Sequence, residues 1–380
     1  MPSFGFRVYF GDRAATTEEL SRIEEIVVEQ EMDMAWEAHV RLYLCTDENG
    51  NWRHGADEFA QPFSRVRVEI GSGSSFTPLI DGPVASYDHQ LDSQPGHSSV
   101  TLIVRDDSTL LNREEKAEIF EQRDDDAIAR EVFGQFPQIA STRIESPGGA
   151  RPSVVRRGTA IQFLRELARP HEYHAYVLPG SSPGQSVGCF LPDPTETGNL
   201  PALVLLGSDR NLAELSVVEN SVGPEVSRTH TLRISDQQVE TADVGVRDLS
   251  LMRSQAPVAE GSTATRLVAP EDNDREDPES SARGRARRQS YAFRVTGRVV
   301  PGCYAGILKP YERVMVRAGT TGLSGEWLLT KVTHTITPNL YTQQFEAKAD
   351  SREAPASASA SALGGAAGLS VNFSASLSIF

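Results

Sequence analysis

The segment Arg313–Phe345 reads RVMVRAGTTGLSGEWLLTKVTHTITPNLYTQQF. Apolar and polar residues alternate on both sides of a glycine-rich turn, and the phase shifts by one residue after the second run. The positions on one face are Val314 and Val316, then Trp327 and Leu329, then Val332, His334 and Ile336, and finally Tyr341, Gln343 and Phe345. Period-two alternation between Gly and Pro-Asn turns predicts a small antiparallel β-barrel.

A second set of strands is predicted in the first hundred or so residues. The apolar alternation there marks Phe4–Phe10, Ile23–Glu29, Ala35–Cys45, Phe63–Ile70, a strand starting at Leu79, and Ser98–Arg105. The Asp47–Gly50 stretch between two of them has hairpin-turn chemistry. This many short strands in so little chain predicts a closed barrel or a sandwich.

The period changes between these two β segments. Asp124 or Asp125 can cap a helix in which Ile128, Val132 and Phe136 share one face. A second helix is predicted over Thr159–Arg169, where Pro170 stops it, and a strand follows over Tyr173–Leu178. The middle of the chain is therefore predicted to be α/β.

Composition favours an ordinary globular protein. The chain has 380 residues, 39% hydrophobic and 23% charged, which is enough for two or three domains. No long apolar run predicts a transmembrane helix, and the N-terminus shows no signal peptide. The net charge of −15 argues against a surface that coats DNA, but leaves open a channel that DNA or an effector merely crosses.

The amino-acid sequence of the last strands is distinctive. SGEWLLTKVTHTIT…YTQQFEAK resembles the closing strands of the late control D family, the baseplate hub proteins of contractile phage tails and related injection machines. The segment before it also matches the family pattern at Gly306, Leu308, Pro310 and the two valines of Val314–Val316. It departs from the pattern at Tyr311, where a glycine is usual. Farther upstream, Gln162–Ala168 resembles a helix of the same family, in the expected order along the chain.

The resemblance implies a mainly β, α+β fold: two tandem tube-type β-barrel domains with an inserted α/β domain, assembled as a pseudo-hexameric trimer. The predicted division is a first barrel over 1–107, an α/β domain over 108–202, a discontinuous second barrel over 203–250 and 289–350, a charged flexible insertion over 251–288, an Ala/Ser/Gly linker over 351–368 and a C-terminal docking strand over 369–380. Three chains with two barrels each would match a six-fold tail tube on one side and a three-fold spike on the other.

The function implied by the resemblance is structural, without catalysis or cofactor. The expected partners are two further copies of the chain, the tail tube or its initiator protein, the central spike protein and the baseplate wedge proteins. A genome or effector would cross the lumen without specific binding, and no part would be embedded in a membrane. The expected location is the tail baseplate of a virion assembled in the host cytoplasm; a bacterial injection system fits equally well.

The C-terminal segment LSVNFSASLSIF is the sharpest candidate binding site. One face carries Leu369, Val371, Phe373, Leu377 and Ile379, and Phe380 ends the chain. A lone strand leaves its backbone groups unpaired, so it needs a sheet edge in this chain or in a partner. The Ala/Ser linker before it favours strand addition to the spike or to a neighbouring hub subunit.

Candidate chemical sites have simpler structural interpretations. Asp124–Asp126 fits a helix start as well as a cation site. His171 and His174, beside Glu172, lack a third ligand and would point to opposite faces of a strand, and His334 is predicted to pack or to hydrogen-bond a neighbour. Cys45, Cys189 and Cys303 are predicted to be buried, reduced thiols. Arginines in the stretch Arg283–Arg288 are predicted to balance nearby acids rather than to bind nucleic acid.

One alternative function belongs to another class. A tail-associated cell-wall hydrolase or carbohydrate-binding protein would need paired carboxylates with aromatic residues beside them. Trp36, Trp52 and Trp327 are scattered along the sequence, which does not favour sugar stacking. No nucleophile elbow, Walker-A loop or dinucleotide fingerprint is present in the sequence.

Overall fold

A computed structural model describes residues 4–53, 61–72, 75–94, 96–148, 150–233, 237–257, 263–269 and 277–353. No helix in these ranges has the length and the apolar character needed to cross a membrane. The C-terminal segment and residues 354–368 of the linker lie outside the described residues, so the docking-strand prediction is carried forward as a proposal. The first residues assigned to the linker belong instead to the fold, because Ser351 is fully buried and Arg352 forms a β-bridge with Gln255.

The first unit is a set of antiparallel β-strands around one apolar core. Its elements are β1 Gly5–Phe10, β2 Arg13–Ala14, α1 Thr17–Ser21, β3 Ile23–Glu31, β4 Glu37–Tyr43, β5 Cys45–Thr46, β6 Trp52–Arg53, β7 Arg65–Ser72, β8 Ser75–Gln90 and β9 Ser99–Arg105. Alternate residues of the long strands are buried, as the period-two pattern requires. Val28 of β3, Val40 of β4 and Leu102 of β9 pack in one core.

An α/β unit follows. Its elements are α2 Ser108–Leu111, β10 Glu115–Asp124, α3 Asp125–Gly134, β11 Ile139–Ile144, β12 Ala150–Thr159, α4 Ala160–Ala168, a 3-10 turn Arg169–His171, β13 Tyr173–Pro179 and β14 Ser186–Pro192. Thr159 caps α4 through a reciprocal capping box with Gln162, which explains why this helix starts where the sequence predicts. Both predicted helices and the strand after them are present, with Ile128 and Val132 buried as predicted, but Phe136 lies beyond the end of α3.

The rest of the chain builds a second barrel-like unit and a small appended unit. In chain order the elements are β15 Leu203–Val204, β16 Leu212–Glu219, β17 Glu225–Arg233, β18 Gln238–Val244, a 3-10 turn Val246–Asp248, β19 Ala264–Leu267, α5 Pro278–Ser290, β20 Phe293–Val299, β21 Arg313–Arg317, β22 Gly325–Thr337 and β23 Leu340–Ala349. The phase shift predicted in the opening segment is a β-bulge between Leu329 and Lys331. Trp327, Val332 and Phe345 lie in a second core.

The appended unit differs from the prediction in two ways. Strands β17 and β18 do not join the second barrel but form a separate three-stranded sheet with β19. The 251–288 stretch, predicted as a flexible insertion, contains β19 and most of helix α5. The buried residues of α5 are all small: Ser281, Ala282, Gly284, Ala286 and Ser290. A Cβ at Gly284 would approach the carbonyl oxygen of Pro170 to 2.8 Å. A helix that packs through such small residues has little apolar periodicity, which is why the sequence suggested a loop.

Two of the three cysteine predictions are wrong. Cys189 is buried, but Cys45 and Cys303 are exposed, and all three are free thiols. Cys45 lies in the two-residue strand β5 at the margin of the first unit, and Cys303 lies in a turn, so neither is part of a core strand.

Candidate functional site

The two barrel-like units are repeats of one strand plan. Repeat 1 pairs its strands in the order β1-β7-β8-β9-β4-β3, and repeat 2 in the order β15-β21-β22-β23-β20-β16. The order along the chain also corresponds, strand for strand. One pair differs, because β1 and β7 are antiparallel whereas β15 and β21 are parallel.

Local irregularities recur at matching places. The register between β8 and β9 shifts between Val84 and Ser86, and that between β22 and β23 shifts between Leu329 and Lys331. The first strands show the same correspondence. The register between β3 and β4 shifts after Ile23, and that between β16 and β20 shifts after Leu212. Bulges are specific local features, so their coincidence fixes the residue-by-residue alignment of the repeats.

A strained residue also recurs. Phe63 and Tyr311 both have a left-handed backbone, with φ of 64° and 62°. Each donates its backbone N–H to the residue just before a bulge, Phe63 to the carbonyl of Val84 at 3.0 Å and Tyr311 to that of Leu329 at 3.2 Å. This explains why a glycine would suit the position that Tyr311 occupies.

The repeats join edge to edge in a pairing that we call the internal seam. Over this seam Lys331–Ile336 of β22 runs antiparallel to Ile26–Glu31 of β3. The strands β16, β20, β23, β22, β3, β4, β9 and β8 therefore form one continuous sheet. The two cores lie on the same side of that sheet, because paired residues of antiparallel strands point to the same face.

A buried polar pair crosses the internal seam. His334 is fully buried; its Nε2 lies 3.2 Å from Oε1 of Gln30, and its Nδ1 lies 2.8 Å from the hydroxyl of Tyr341. Gln30 donates its amide to the carbonyl of Leu79 at 2.7 Å, which leaves its oxygen to accept from the imidazole. Burial, and to a lesser degree the charge of Lys309, lowers the pKa of His334 to about 3. The histidine is therefore neutral, with the proton on Nε2, and hydrogen-bonds a neighbour as predicted.

The opposite face of the continuous sheet is polar and carries several ion pairs. Lys331 reaches Glu29 at 3.1 Å and Glu31 at 3.3 Å across the internal seam. Arg298 pairs with Glu214, 3.1 Å away, across β20 and β16. Arg105 also pairs with Glu37 at 2.6 Å on this face, and a hydrogen bond of 2.7 Å joins His39 to the same carboxylate. A face of this kind offers no strong net field to a passing polyelectrolyte.

The α/β unit is fixed to both repeats by a polar junction, defined as Asp33, His174, Asp193, Tyr291 and Lys348. The imidazole of His174 lies between two carboxylates, 2.9 Å from Asp33 and 3.1 Å from Asp193. Asp193 also accepts a hydrogen bond from Tyr291 at 2.5 Å, and Lys348 approaches it to 3.9 Å. The junction thus gathers residues from repeat 1, the α/β unit and repeat 2.

The charge states of the polar junction follow from these contacts. Burial alone would lower the pKa of His174, but the hydrogen bonds to Asp193 and Asp33 outweigh it and raise the pKa to about 9. Burial would raise the pKa of Asp193, but Lys348 and His174 hold it well below its usual range. At neutral pH the junction therefore contains an imidazolium between two carboxylates.

A second buried network connects repeat 1 to the turn between β13 and β14. Arg67, almost without solvent exposure, donates to Asp81 at 3.1 Å, to Glu69 at 2.7 Å and to the carbonyl of Gly180 at 2.9 Å. Asp81 also accepts from Arg65. Arg67 thus has partners for its charge and for its hydrogen-bond donors at a place from which water is excluded.

The residues considered as catalytic or metal-binding candidates lie in different places and make structural contacts there. Asp124 is the N-cap of α3, and Asp126 receives a hydrogen bond from Ser146. His171 lies before the strand, in the 3-10 turn, 2.6 Å from Asp125, so it does not share a strand with His174 as predicted. Within the described ranges, no group of three or more His, Cys, Asp or Glu side chains is placed to hold a metal ion.

Three arginines of α5 pair with acids of the same chain, as their simpler interpretation predicts, whereas Arg288 donates to the carbonyl of Arg169. Arg285 bonds Glu225 at 2.9 Å, and Arg287 bonds Asp350 at 2.8 Å and Glu172 at 3.3 Å. The sequence pointed to His334 and His174, but not to Gln30 or to Asp33 and Asp193, because these partners are far from the histidines in the chain.

Solved structures share this fold over almost the whole chain. The tail protein from Neisseria meningitidis MC58 is 13% identical with a TM-score of 0.64, and the match covers 91% of this chain and 96% of that one. The 43 kDa tail protein of prophage MuSo2 from Shewanella oneidensis is 13% identical with a TM-score of 0.66, and the match covers 91% and 98%. No family model and no curated protein sequence matches the chain.

A third match comes from an injection system. An E. coli component of the type VI secretion system, described as structurally similar to the T4 bacteriophage tail proteins gp27 and gp5, is 12% identical with a TM-score of 0.54. The match covers 86% of this chain and 73% of that one. At such identities the likeness establishes the fold, and the predicted mainly β, α+β fold of the hub type is confirmed.

Proposed function

We propose that this protein, which has the fold of phage tail proteins, is the structural hub of a contractile tail or a related injection system. The observation that carries the proposal is the strand plan used twice in one chain. A chain with two equivalent repeats can match six-fold symmetry with three copies and still present three-fold symmetry elsewhere. In this role the protein joins the tail tube to the central spike and sits at the baseplate of the particle.

The polar face of the continuous sheet suits a channel wall. It carries both signs of charge, and cross-strand ion pairs such as Lys331 with Glu29 and Arg298 with Glu214 neutralise part of them. A genome or effector would meet neither a basic surface that retains it nor a strongly acidic one that repels it. We therefore assign this face to the lumen of the proposed trimer.

The C-terminal segment remains the proposed docking strand for the spike. Its alternation places Leu369, Val371, Phe373, Leu377 and Ile379 on one face, with Phe380 at the end. Strand addition to a partner would satisfy its backbone groups and bury that face. Wedge proteins and the tube or its initiator are the other proposed partners.

A non-enzymatic role agrees with the dispersed chemical residues. The buried acids described above are each held by basic or hydroxyl groups, as Asp193 is by His174 and Tyr291, and Asp81 by Arg65 and Arg67. The alternative, a cell-wall hydrolase, is tested by incubating the purified chain with peptidoglycan; release of soluble sugar or peptide fragments would favour that alternative.

Mass photometry tests the hub proposal directly. The purified chain should appear at three times its mass of 41.4 kDa, and it should bind the candidate spike protein. A variant lacking residues 354–380 should stay trimeric and lose the spike. A full-length chain that remains monomeric at all accessible concentrations and ignores the spike would overturn the proposal.

A further inference from the structure

A cleft of about 420 Å³ opens beside the polar junction, between α4 and β13 on one side and α5 and β23 on the other. All five residues of the polar junction line it, together with Arg165 of α4 and with Glu172, which follows the 3-10 turn. Its volume lies within the ~300–1,000 Å³ that is typical of ligand sites. Because its walls include Asp33 of repeat 1 and Lys348 of repeat 2, a ligand in this cleft would contact all three parts of the fold.

Most charges in the cleft already have partners. His174 and its two carboxylates satisfy one another in the polar junction. Arg287 donates to Asp350 at 2.8 Å and to Oε2 of Glu172 at 3.3 Å. Arg288 donates to a main-chain carbonyl of the 3-10 turn at 2.8 Å. These groups are therefore committed to holding the fold together.

Arg165 and Glu172 are different, because each retains unused bonding capacity. The Nε–H of Arg165 is buried without an acceptor, and Oε1 of Glu172 is buried without a donor, within the described part of the chain. The Arg165 guanidinium also forms no ion pair with any described residue. A buried polar atom without a partner destabilises a fold, so such atoms are rare. A donor and an acceptor left over in one cleft indicate a ligand that bonds to both.

These two atoms define the chemistry of the ligand. The guanidinium of Arg165 presents a planar fork of N–H donors that matches a carboxylate. Oε1 of Glu172 needs a donor on the same ligand, which a simple carboxylate lacks. An acidic residue within a peptide has both groups, since its main-chain N–H lies close to its side-chain carboxylate. A phosphate dianion would instead be repelled by Glu172 and Asp33 in the same cleft.

We propose that this cleft binds an acidic residue of a partner protein. The side-chain carboxylate of that residue bonds to Arg165, and its main-chain N–H donates to Oε1 of Glu172. The site lies within a single chain, so the inference goes beyond the hub proposal and does not depend on the trimer. A bound segment would contact repeat 1, the α/β unit and repeat 2 together, and would stabilise their arrangement.

Calorimetric titration of the full chain with short peptides tests this site. The probe is acetyl-Gly-Asp-Gly-amide, and acetyl-Gly-Asn-Gly-amide is its uncharged control. We expect saturable binding of the Asp peptide and roughly tenfold weaker binding of the Asn peptide, because the charged pair is lost. A third peptide, with an N-methylated aspartate, keeps the carboxylate but lacks the donor for Glu172. It should also bind roughly tenfold less tightly than the Asp peptide.

A pair of arginine variants locates the binding. Arg165→Met should weaken the Asp peptide roughly tenfold or more, and it should fold as the wild type does because it breaks no described contact. Arg130→Met is the matched control, since Arg130 is a helical arginine of the same α/β unit that pairs with Asp126 away from the cleft. Its affinity should stay within about twofold of the wild type. The peptide should raise the thermal midpoint of the wild type and of Arg130→Met, but not that of Arg165→Met.

Several outcomes would overturn the inference. The wild type could fail to show saturable binding, or the Asp and Asn peptides could bind equally, or Arg165→Met could bind as the wild type does. Equal affinity for the N-methylated peptide would remove the contact with Glu172, and inorganic phosphate that binds as tightly as the Asp peptide would contradict the assignment to an acidic residue. The hub proposal would stand in each case, because mass photometry tests it separately.

Discussion

The rings of Tyr176 and Tyr311 lie face to face, with centroids 3.7 Å apart and planes 6° apart. The hydroxyl of Tyr311 also accepts the backbone N–H of Asp33 at 2.7 Å. Tyr176 belongs to β13 of the α/β unit, Asp33 to the turn after β3, and Tyr311 to repeat 2. One residue with a left-handed backbone therefore connects all three units.

This stacking should contribute to the stability of the whole chain. We expect Tyr176→Ala to lower the free energy of unfolding by about 3–5 kcal/mol, because it removes a buried ring and leaves a cavity. Tyr176→Phe keeps the ring and should cost far less. A double-mutant cycle with Tyr311→Ala, followed by urea unfolding, should give a coupling of about 0.5–1.5 kcal/mol. Strict additivity would show that the rings do not stabilise each other.

His174 should make the protein less stable at alkaline pH. Its pKa is raised to about 9 in the fold, above the ordinary value of 6.5, so the folded state holds the proton more tightly. The stabilisation is complete below pH 6.5, declines between pH 6.5 and 9, and is absent above pH 9. It amounts to on the order of 3 kcal/mol. His174→Gln should remove this decline in urea unfolding measured across that range.

The partners of His174 should not contribute equally. The Asp193 side chain is 15% exposed and that of Asp33 is 50% exposed, so solvent screens Asp33 more strongly. Asp193→Asn should therefore flatten the alkaline decline more than Asp33→Asn does. An equal effect of the two variants would contradict this assignment.

His334 should give the opposite pH dependence. Its pKa is lowered to about 3 by burial, below the ordinary 6.5, so the unfolded state binds the proton more tightly. The stability that depends on neutral His334 is complete above pH 6.5 and is lost as the pH falls from 6.5 towards 3. Subtracting the acid unfolding curve of His334→Gln from that of the wild type isolates this slope. A difference curve that is flat in this range would refute it.

The Arg67 network should tolerate substitution poorly. Arg67→Met leaves Asp81 and Glu69 with fewer partners in a buried place, and we expect a loss of about 3–5 kcal/mol in the free energy of unfolding. Arg13, which forms a two-bond pair with Glu19 at the surface, provides the matched control. Arg13→Met should leave the thermal midpoint nearly unchanged. Similar losses for both variants would mean that burial does not decide the effect.

Local sequence patterns predicted much of the fold. The alternation of Val314, Trp327 and Val332 was sufficient to predict the last strands and the phase shift at the bulge, because each strand buries every second residue. Thr159 and Pro170 marked the ends of α4, since capping and helix stopping are local effects.

Contacts between distant segments were beyond local reasoning. Nothing in the sequence around His334 indicates its role, because its partner Gln30 is 304 positions away in the chain and comes beside it only in the fold. Helix α5 was missed because Ala282 and Ala286 give its buried face little apolar character. The two barrels were predicted from the family resemblance, but their residue-by-residue correspondence rests on bulge positions and backbone angles, as at Phe63 and Tyr311, where the side chains differ.

The internal seam has a consequence for how the chain folds during synthesis. Strand β3 emerges from the ribosome early, but β22, which covers its outer edge, emerges roughly 300 residues later. At synthesis rates of ~5–20 residues per second, that delay is about 15–60 s. Throughout this interval repeat 1 exposes both of its sheet edges to other nascent copies. Closely spaced ribosomes should therefore favour strand exchange between chains, whereas well-separated nascent chains should favour the correct pairing within one chain.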